Sequence, residues 1–532
     1  MNTLLDTPAA PLWKRIGIKP HQGICIFLPA LRSRHSCGIG EFFDLLPLID
    51  WCHDLQMDVV QLLPLNNSDS DPSPYNPMSA CALNFLLLSL HALPYLDDLP
   101  ALKKKLQGIT ELNQTARIAY QQVIVHKMSW LQAYYDAVGE KIQKSPAFRA
   151  FLAENDWVEP FALFRSLKDH LNNSPLSTWP KELRFPSEKK VSELQSTNTS
   201  KIAFYAALQF LCHSQLKEVK KYANSKGVFL KGDIPLLVGC ESAEAWLHPH
   251  YFHTEFIAGS PPDPFNQEGQ YWGFPLFRWE ALRQDHFAWW RRRLQYASHF
   301  FDLFRVDHII GFFRIWAIPP HTSPKQGHFI PEKPEEWEAQ GRELLHMLID
   351  NAQGMLPIGE DLGTIPDILP LVLTEMGIPG TKVIRWTRNW KTDKSYIPLD
   401  RYPLASLTTV STHDSETLAQ WWQNVPEEAR AFAAFKKWED YTPALSLRQR
   451  QEILWDAHHS SSLFHINPLQ EYLALFSELV SSRLEEERIN VPGTVSDTNW
   501  TYRYLPSVEE LTTHVGLRRA MKKILFPPTS DF

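Results

Sequence analysis

The sequence predicts an α/β protein, a (β/α)8 TIM barrel with an inserted helical subdomain and extra loops at the C-terminal face of its strands. Two observations support this prediction: short, continuously apolar runs recur along the chain, and helical stretches lie between many of them. Continuous apolarity is typical of parallel strands that are covered on both faces. About eight repeats of strand and helix are the pattern of such a barrel.

Eight apolar runs are interpreted as the barrel strands, because each ends in polar, glycine or proline residues. In chain order they cover residues 23–29, 57–65, 228–238, 301–307, 354–363, 381–386, 407–414 and 488–494. Stretches such as FFDLLPLIDWCHDL and EWEAQGRELLHMLIDNA supply the predicted helices between them. The segment 319–337 is interpreted as a proline-rich loop.

The alternation of strand and helix breaks between residues 98 and 200, where helical stretches follow one another. We therefore predict a first part of the barrel over 1–97, an inserted helical subdomain over 98–200, and the remainder of the barrel over 201–532. The 532 residues would suffice for three or four ordinary domains, but one large barrel with insertions accounts for the length as well.

Composition and charge argue against nucleic acid as the ligand and leave a neutral substrate open. The net charge of −7 argues against a general nucleic-acid binder, which usually carries a basic excess. The chain has 19 Trp, 30 Phe and 16 Tyr residues, and most of them should fill the core. The tryptophan excess also suits a sugar-handling protein, because pyranose rings present apolar C–H faces on which aromatic rings stack.

Cysteine usage and hydropathy predict a cytoplasmic protein. Six cysteines in so long a chain, with no CxxC pair, indicate free thiols and argue against a cysteine-type zinc site. The N-terminal stretch lacks the apolar region of a signal peptide, and no apolar run is long enough to span a bilayer. The oligomeric state is left open.

Ionisable residues stand at the ends of four predicted strands. They are Asp233 in KGDIP; Arg305, Asp307 and His308 in RVDH; Glu360 and Asp361 in GEDLG; and His413 and Asp414 in STHD. Because the C-terminal ends of parallel barrel strands lie on one face, these four segments should converge at one active site.

Several carboxylates around one pocket suit the cleavage of a glycosidic bond. That chemistry needs one carboxylic acid that protonates the leaving oxygen and one carboxylate that attacks or stabilises the anomeric carbon. Arg305 lies two residues before Asp307 and should hold it ionised, so Asp307 suits the nucleophile and Glu360 the acid.

The alternatives to this chemistry are structural, metal-binding or nucleotide-binding roles. A single acidic residue at a strand end is often a helix cap or a turn former. Asp307, His308 and Asp414 could bind a metal, but no HExxH or similar ligand spacing occurs. GIG at 38–40 lacks the third glycine of a dinucleotide-binding loop. We therefore predict neither a metal nor a cofactor.

Ordered motifs over most of the chain resemble the 4-α-glucanotransferases of the α-amylase clan, also called amylomaltases or disproportionating enzymes. The motifs are LPALRSRHSCGIGEF (28–42), SPYNPMSACALNFLLLSL (73–90), YANSKGVFLKGDIPLLV (222–238), GSPPDPFNQEGQYWGFPLFRWEAL (259–282), FRVDHIIGFFRIW, IGEDLG, STHD and RINVPGTVSDTNWTYR (488–503). The resemblance implies transfer of α-1,4-glucan segments from a malto-oligosaccharide to the 4-OH of an acceptor glucan or glucose, through a glycosyl-enzyme. Maltose and glycogen or another α-glucan are the implied substrates.

The resemblance also implies residue roles. Asp307 matches the nucleophile, Glu360 the acid/base, and Asp414 a third carboxylate that binds sugar hydroxyls. The predicted substrate-binding residues are Tyr75, Asp233, Trp272, Arg305, His308, Asp361 and His413; of these, Tyr75 matches a stacking tyrosine and Trp272 lies in a loop over the acceptor side.

Some motifs depart from the common bacterial pattern. Phe274 stands where an asparagine is usual, and IIGFFRIW follows His308; both are more similar to the cytosolic plant-type disproportionating enzymes, whose starch-binding modules are absent here. Three alternatives remain open at this point: a hydrolase that uses water as acceptor, a glycan-binding protein without turnover, and a metal-dependent barrel hydrolase.

Overall fold

A computed structural model describes residues 2–68, 70–262, 266–439 and 441–527. The motif over 259–282 contains residues 263–265, which lie outside the described residues. In the described part of the chain, the strands are β1 (His21–Ile26), β2 (Val59–Leu62), β3 (Phe229–Pro235), β4 (Phe252–Ser260), β5 (Gln270–Phe277), β6 (Leu303–Asp307), β7 (Ile315–Ile318), β8 (His328–Ile330), β9 (Leu356–Gly359), β10 (Gly380–Val383), β11 (Ser406–Thr409) and β12 (Phe464–Pro468).

Eight of these strands form a parallel barrel sheet, which confirms the predicted fold class. Their order is β10-β11-β12-β1-β2-β3-β6-β9, and every neighbouring pair is parallel. The two end strands approach each other, since the Gly359 N–H donates to the Pro379 carbonyl at 2.8 Å. Seven of the eight predicted strand segments coincide with barrel strands.

The predicted eighth strand is wrong. Residues 488–494 form no strand, and the barrel is instead completed by β12, which pairs with β1 and β11. Pro492 lacks a backbone donor, and Gly493 has a positive φ of 74°, so this segment is unsuited to a central strand. β12 was missed because His465 and Asn467 interrupt its apolar run.

A second sheet, which the sequence analysis treated as loops, stands at the C-terminal face of the barrel. Its antiparallel order is β5-β4-β7-β8. β4 and β5 follow β3, whereas β7 and β8 follow β6. Because the connections that leave the C-terminal ends of barrel strands lie on the active-site face, these two hairpins build a wall beside that face.

The helices surround the barrel and fill the segment between β2 and β3. Those described are α1 (Ala10–Ile16), α2 (Leu45–Asp54), α3 (Pro100–Thr110), α4 (Tyr120–Lys144), α5 (Pro146–Glu154), α6 (Val158–His170), α7 (Lys181–Arg184), α8 (Glu188–Thr197), α9 (Thr199–Ser225), α10 (Ala243–Leu247), α11 (Trp279–Gln284), α12 (Ala288–Ser298), α13 (Pro334–Asp350), α14 (Ile368–Met376), α15 (Leu418–Asn424), α16 (Pro426–Phe435), α17 (Leu447–His458), α18 (Leu469–Leu473), α19 (Val508–Thr513) and α20 (Val515–Leu525). Helices α3–α8 occupy the segment 98–200, and its assignment as a separate subdomain stays a prediction. Within the described ranges, no helix combines the length and apolarity needed to cross a bilayer.

Candidate active site

A cavity of about 940 Å³ opens at the C-terminal face of the barrel, between the strand ends and the second sheet. Its wall brings together eight of the ten residues that the sequence predicted for the site. They are Tyr75, Trp272, Arg305, Asp307, His308, Glu360, His413 and Asp414. Convergence of residues from distant segments is what the strand-end argument required.

Arg305 lies between the two carboxylates predicted to carry the chemistry. It is two residues before Asp307 on β6, so both side chains lie on the same face of the strand. Its Nη2 is 2.6 Å from Asp307 Oδ1 and 3.9 Å from Glu360 Oε2. The sum of these distances is an upper limit on the separation of the two oxygens. The two carboxylate oxygens are therefore no more than about 6.5 Å apart. Carboxyl groups of inverting enzymes are separated by at least about 6.5 Å, whereas those of retaining enzymes are about 5 to 5.5 Å apart, so the limit is compatible with the retaining spacing.

Glu360 follows the last residue of β9 and is held by backbone donors. The N–H of His308 donates to Oε2 at 2.9 Å, and the N–H of Leu362 donates to Oε1 at 3.1 Å. His308 adopts a left-handed conformation, with φ of 51°, directly before a short 3-10 helix (Ile309–Phe312). This conformation is uncommon for a residue other than glycine. Here it occurs at the residue whose N–H is bonded to the carboxylate.

The surroundings of Glu360 favour its protonated form. Burial raises the pKa of Glu360, and the nearby charge of Asp307 raises it further. Arg305 and the N–H of His308 act in the opposite direction, and the result is a pKa of about 8. A carboxyl group that keeps its proton at neutral pH can serve as a general acid.

Asp233 supports the site from behind the cavity wall rather than lining it. Its carboxylate is fully buried and accepts hydrogen bonds from Arg305 Nη1, with distances of 3.0 and 2.9 Å to its two oxygens. The Tyr75 hydroxyl donates a further hydrogen bond at 2.7 Å. Burial raises the pKa of Asp233, whereas Arg305 lowers it. Asp233 was predicted to bind the substrate, but its position makes it the group that orients Arg305.

Asp414 lies across the cavity and has its own set of partners. His413 Nε2 is 3.2 Å from Oδ2, and the Asn490 side-chain amide donates to Oδ1 at 2.7 Å. Its recessed position raises the pKa of Asp414, but His413, Asn490 and Arg305 outweigh this and lower the pKa to about 2. Asp414 is therefore a permanent negative charge in the cavity wall at neutral pH.

Two residues of the segment after β12 complete this side of the site, and neither was predicted as functional. Asn490 bonds to Asp414, and the Trp500 ring lies 5.5 Å from Tyr75 and 5.6 Å from His413. The Pro-Gly pair in RINVPGT was the available signal, because it indicates a turn rather than the strand that we assigned.

Tyr75 and Trp272 lie on different walls of the cavity. The Tyr75 ring stacks on His413, with centroids 5.1 Å apart and an interplanar angle of 12°. Trp272, on β5, contacts the ring of His308 edge to face at 4.8 Å. Burial lowers the pKa of His308 to about 4, so its imidazole is neutral near pH 7.

Asp361 differs from the prediction, because its carboxylate does not line the cavity. It pairs with Lys382 Nζ at 3.0 Å and accepts the N–H of Thr381 at 2.6 Å. A Cβ atom at position 380 would come within 2.6 Å of Asp361 Oδ2, so Gly380 leaves the space that this carboxylate occupies. Asp361 therefore joins the end of β9 to β10 instead of reaching the substrate side.

The described residues hold no cluster of three or more His, Cys, Asp or Glu side chains arranged to bind a metal ion. The positive charge beside Asp307 comes from Arg305, which is fixed on the other side by Asp233. The arrangement therefore combines one carboxylate paired with a cation, one protonated carboxyl group and one further carboxylate around a single cavity. These are the groups that glycosidic bond cleavage requires.

Residues 26–508 match glycoside hydrolase family 77, the family described as 4-alpha-glucanotransferase. The chain belongs to this family. This confirms the family and the enzyme class that the motifs predicted.

Several 4-alpha-glucanotransferases are similar to the chain over much of its length. The enzyme of Chlamydia pneumoniae is 44% identical over 530 residues, which cover 99% of each chain. The rice protein 4-alpha-glucanotransferase DPE2 is 35% identical over 311 residues, 57% of this chain and 33% of the rice protein. A solved structure, the amylomaltase from Streptococcus agalactiae in complex with acarbose, superposes with a TM-score of 0.81 at 26% identity and covers 95% of this chain and 98% of its own.

Proposed function

We propose that this 4-alpha-glucanotransferase transfers α-1,4-glucan segments or glucosyl units from a malto-oligosaccharide to the 4-OH of an acceptor glucan or glucose. Asp307 is the nucleophile and Glu360 the acid/base. The observation that carries this proposal is the contrast around Arg305 Nη2. One neighbouring carboxylate, Asp307, is paired with the cation at 2.6 Å, while the other, Glu360, has a pKa raised to about 8 by burial.

The reaction proceeds in two displacements. Asp307 attacks the anomeric carbon, the bond from that carbon to the leaving glucan oxygen breaks, and Glu360 gives its proton to that oxygen. Glu360 then accepts the proton of the incoming 4-OH, whose oxygen forms the new bond to the anomeric carbon and releases Asp307. Two inversions give net retention of the α configuration.

Aromatic side chains of the second sheet support a sugar acceptor rather than water. Trp272 on β5, Trp316 on β7 and Phe329 on β8 line the cavity. The indole of Trp316 is fixed, since its N–H donates to the Pro324 carbonyl at 2.8 Å and its ring contacts Phe329 edge to face at 4.8 Å. Such surfaces stack on pyranose rings and limit the access of water. Maltose, maltotriose and branched glucans such as glycogen are the proposed substrates.

The cytoplasm is the proposed location. All six cysteines are unpaired, and five of them are partly or fully buried. Free thiols of this kind are usual in a reducing compartment.

Product analysis tests the transfer reaction. The purified chain is incubated separately with maltose, maltotriose and glycogen plus maltose, and the products are resolved by chromatography. We expect maltotriose to give both shorter and longer maltodextrins, with glucose released. If only shorter sugars accumulate, water is the acceptor and the transfer proposal is wrong.

The stereochemistry is tested in the same reaction. Proton NMR of the newly formed glycosidic linkages, which do not mutarotate, should show the α configuration only. The Asp307→Asn variant, purified in the same way, is the control for contaminating activity. Inverted products would contradict the double displacement.

A further inference from the structure

The cavity continues below the catalytic carboxylates into the interior of the barrel. Its floor is formed there by Cys25 of β1, Gln61 of β2 and Lys231 of β3. Lys231 has only 1% of its surface exposed. A buried lysine is costly unless its ammonium group has partners, so its position beneath the site requires an explanation.

Lys231 is placed directly below the group that orients Arg305. It lies two residues before Asp233 on β3, so both side chains lie on the same face of the strand, one layer apart. Its Nζ donates to Gln61 Oε1 at 2.7 Å. The titratable groups that face it are the Cys25 thiol from β1, Asp233 from its own strand and Arg305 from β6.

We propose that Lys231 is a positioning residue whose ammonium, held by Gln61 below Asp233, sets the charge balance of the Asp233–Arg305–Asp307–Glu360 group. This inference rests on the proposed function. Asp233 is ion-paired with Arg305, and the charge of Lys231 acts on it electrostatically from below. A positive charge at Lys231 therefore favours the ionised forms of the carboxylates around Arg305, and its loss favours their protonated forms.

The charge on Lys231 changes within the neutral pH range. Burial lowers the pKa of Lys231 to about 7, although Cys25 and Asp233 act to raise it. Below this pH the floor of the site carries a positive charge, and above it the floor is neutral. The wild-type enzyme should thus change from one charge state of the site to the other as the pH rises.

Two substitutions isolate these charge states. Lys231→Arg keeps the positive charge at every working pH, and Lys231→Met removes it while nearly preserving the length of the side chain. The measurement is the pH dependence of kcat and KM with maltotriose, for wild type and both variants. Thermal unfolding of each protein at one pH reports effects on folding separately.

We expect the wild type to follow the arginine variant on the acid limb and the methionine variant on the alkaline limb. On the acid limb, Lys231→Met should move to higher pH by roughly half a unit, because the catalytic carboxylates lose a stabilising charge. On the alkaline limb, Lys231→Arg should move to lower pH by a similar amount, because Glu360 loses its proton more easily. The shifts should appear in kcat, with KM nearly unchanged.

A second buried lysine provides the matched control. Lys220 of α9 is 8% exposed and pairs with Asp302, which directly precedes β6 and so lies at the opposite end of that strand from Asp307. Lys220→Met should alter thermal stability and leave the pH profile in place. Gln61→Leu removes the partner of Lys231 and should give part of the shift seen in Lys231→Met.

Superimposable pH profiles for wild type, Lys231→Arg and Lys231→Met would overturn the proposal, and so would the same shift in Lys220→Met. If both Lys231 variants fail to fold, the profile of Gln61→Leu decides, and an unshifted profile rejects the role. A wild-type chain that yields no transfer products refutes the proposed function itself, whatever the lysine variants do.

Discussion

The two sides of the cavity shift the pKa of an acidic residue in opposite directions. Glu360 and Asp414 each follow a barrel strand and face the same cavity, yet the pKa of Glu360 is raised to about 8 and that of Asp414 is lowered to about 2. The Glu360 side chain is 14% exposed and lies beside the charge of Asp307. The Asp414 side chain is 43% exposed and bonds to His413 and Asn490.

This difference shows that the partners of a carboxyl group decide its protonation state. On the Glu360 side, burial and a like charge outweigh Arg305 and two backbone donors. On the Asp414 side, His413, Asn490 and Arg305 together outweigh desolvation. At neutral pH, one side of the cavity therefore holds a protonated carboxyl group, and the other holds a fixed negative charge.

The largest effects are expected from substitutions of Asp307 and Glu360, the two carboxyl groups beside Arg305. Asp307→Asn and Glu360→Gln should each lower kcat with maltotriose by at least about 10³-fold, because each removes one chemical step. With an α-glycosyl fluoride donor, whose leaving group needs no protonation, Glu360→Gln should recover glycosylation and Asp307→Asn should not. The measurement is fluoride release.

Two results would contradict the assignment of Asp307 as nucleophile and Glu360 as acid. Recovery in Asp307→Asn, or near-normal glucose release from maltotriose by either variant, would remove the proposed role of that residue. The stability of both variants is checked by thermal unfolding, because each substitution is nearly isosteric and should leave the fold intact.

Strand ends could be located from the sequence because buried parallel strands are continuous apolar runs, and seven of eight were found in this way. β12 was missed, since its polar residues are bonded to distant groups: Asn467 Oδ1 accepts the N–H of Val410, and His465 bonds to the Ala457 carbonyl. No local pattern reveals such partners. The second sheet was not predicted for a related reason. It joins a hairpin that follows β3 to one that follows β6, and no local pattern reveals that pairing.

The candidate site shows the same division between local and long-range information. Position at a strand end identified Glu360 and Asp361 together, but adjacent residues of an extended chain point to opposite sides. That alternation would have separated the cavity-facing Glu360 from Asp361, which pairs with Lys382. Asn490 lies 76 residues from its partner Asp414, and only the folded chain brings them together.

The pH dependence of kcat/KM, which reports the pKa values of the free enzyme, sharpens the comparison without any substitution. Glu360 must be protonated to act as the acid, so kcat/KM should be retained up to about pH 8 and then fall as the proton is lost. A single ionisation of this kind lowers kcat/KM about tenfold per pH unit above the pKa. An alkaline limb centred near the ordinary carboxyl pKa would contradict the raised pKa of Glu360.

Asn490→Leu weakens the Asp414 side alone. The substitution removes the amide that donates to Asp414 Oδ1 at 2.7 Å, so the pKa of Asp414 should rise from about 2 toward its ordinary value. We expect kcat/KM at pH 7 to fall about tenfold, equivalent to about 1.4 kcal/mol, and the acid limb to move to higher pH. An altered alkaline limb instead would show that the two sides are not independent.

Tyr75→Phe should give the smallest effect. Tyr75 contacts both sides of the cavity, and this substitution separates the contribution of its hydroxyl from that of its ring. The hydroxyl of Tyr75 donates to Asp233 at 2.7 Å on the Arg305 side, whereas its ring stacks on His413 on the Asp414 side. Phenylalanine keeps the ring and removes the hydroxyl, so only the Arg305 side should respond.

Loss of one hydrogen bond of about 1 kcal/mol corresponds to a roughly fivefold decrease in kcat. The acid limb should stay nearly in place, because the partners of Asp414 are kept, while Tyr75→Leu, which also removes the ring, should disturb both limbs. If Tyr75→Phe shifts the acid limb as strongly as Tyr75→Leu does, the hydroxyl couples the two carboxylates and the comparison of two separate sides is wrong.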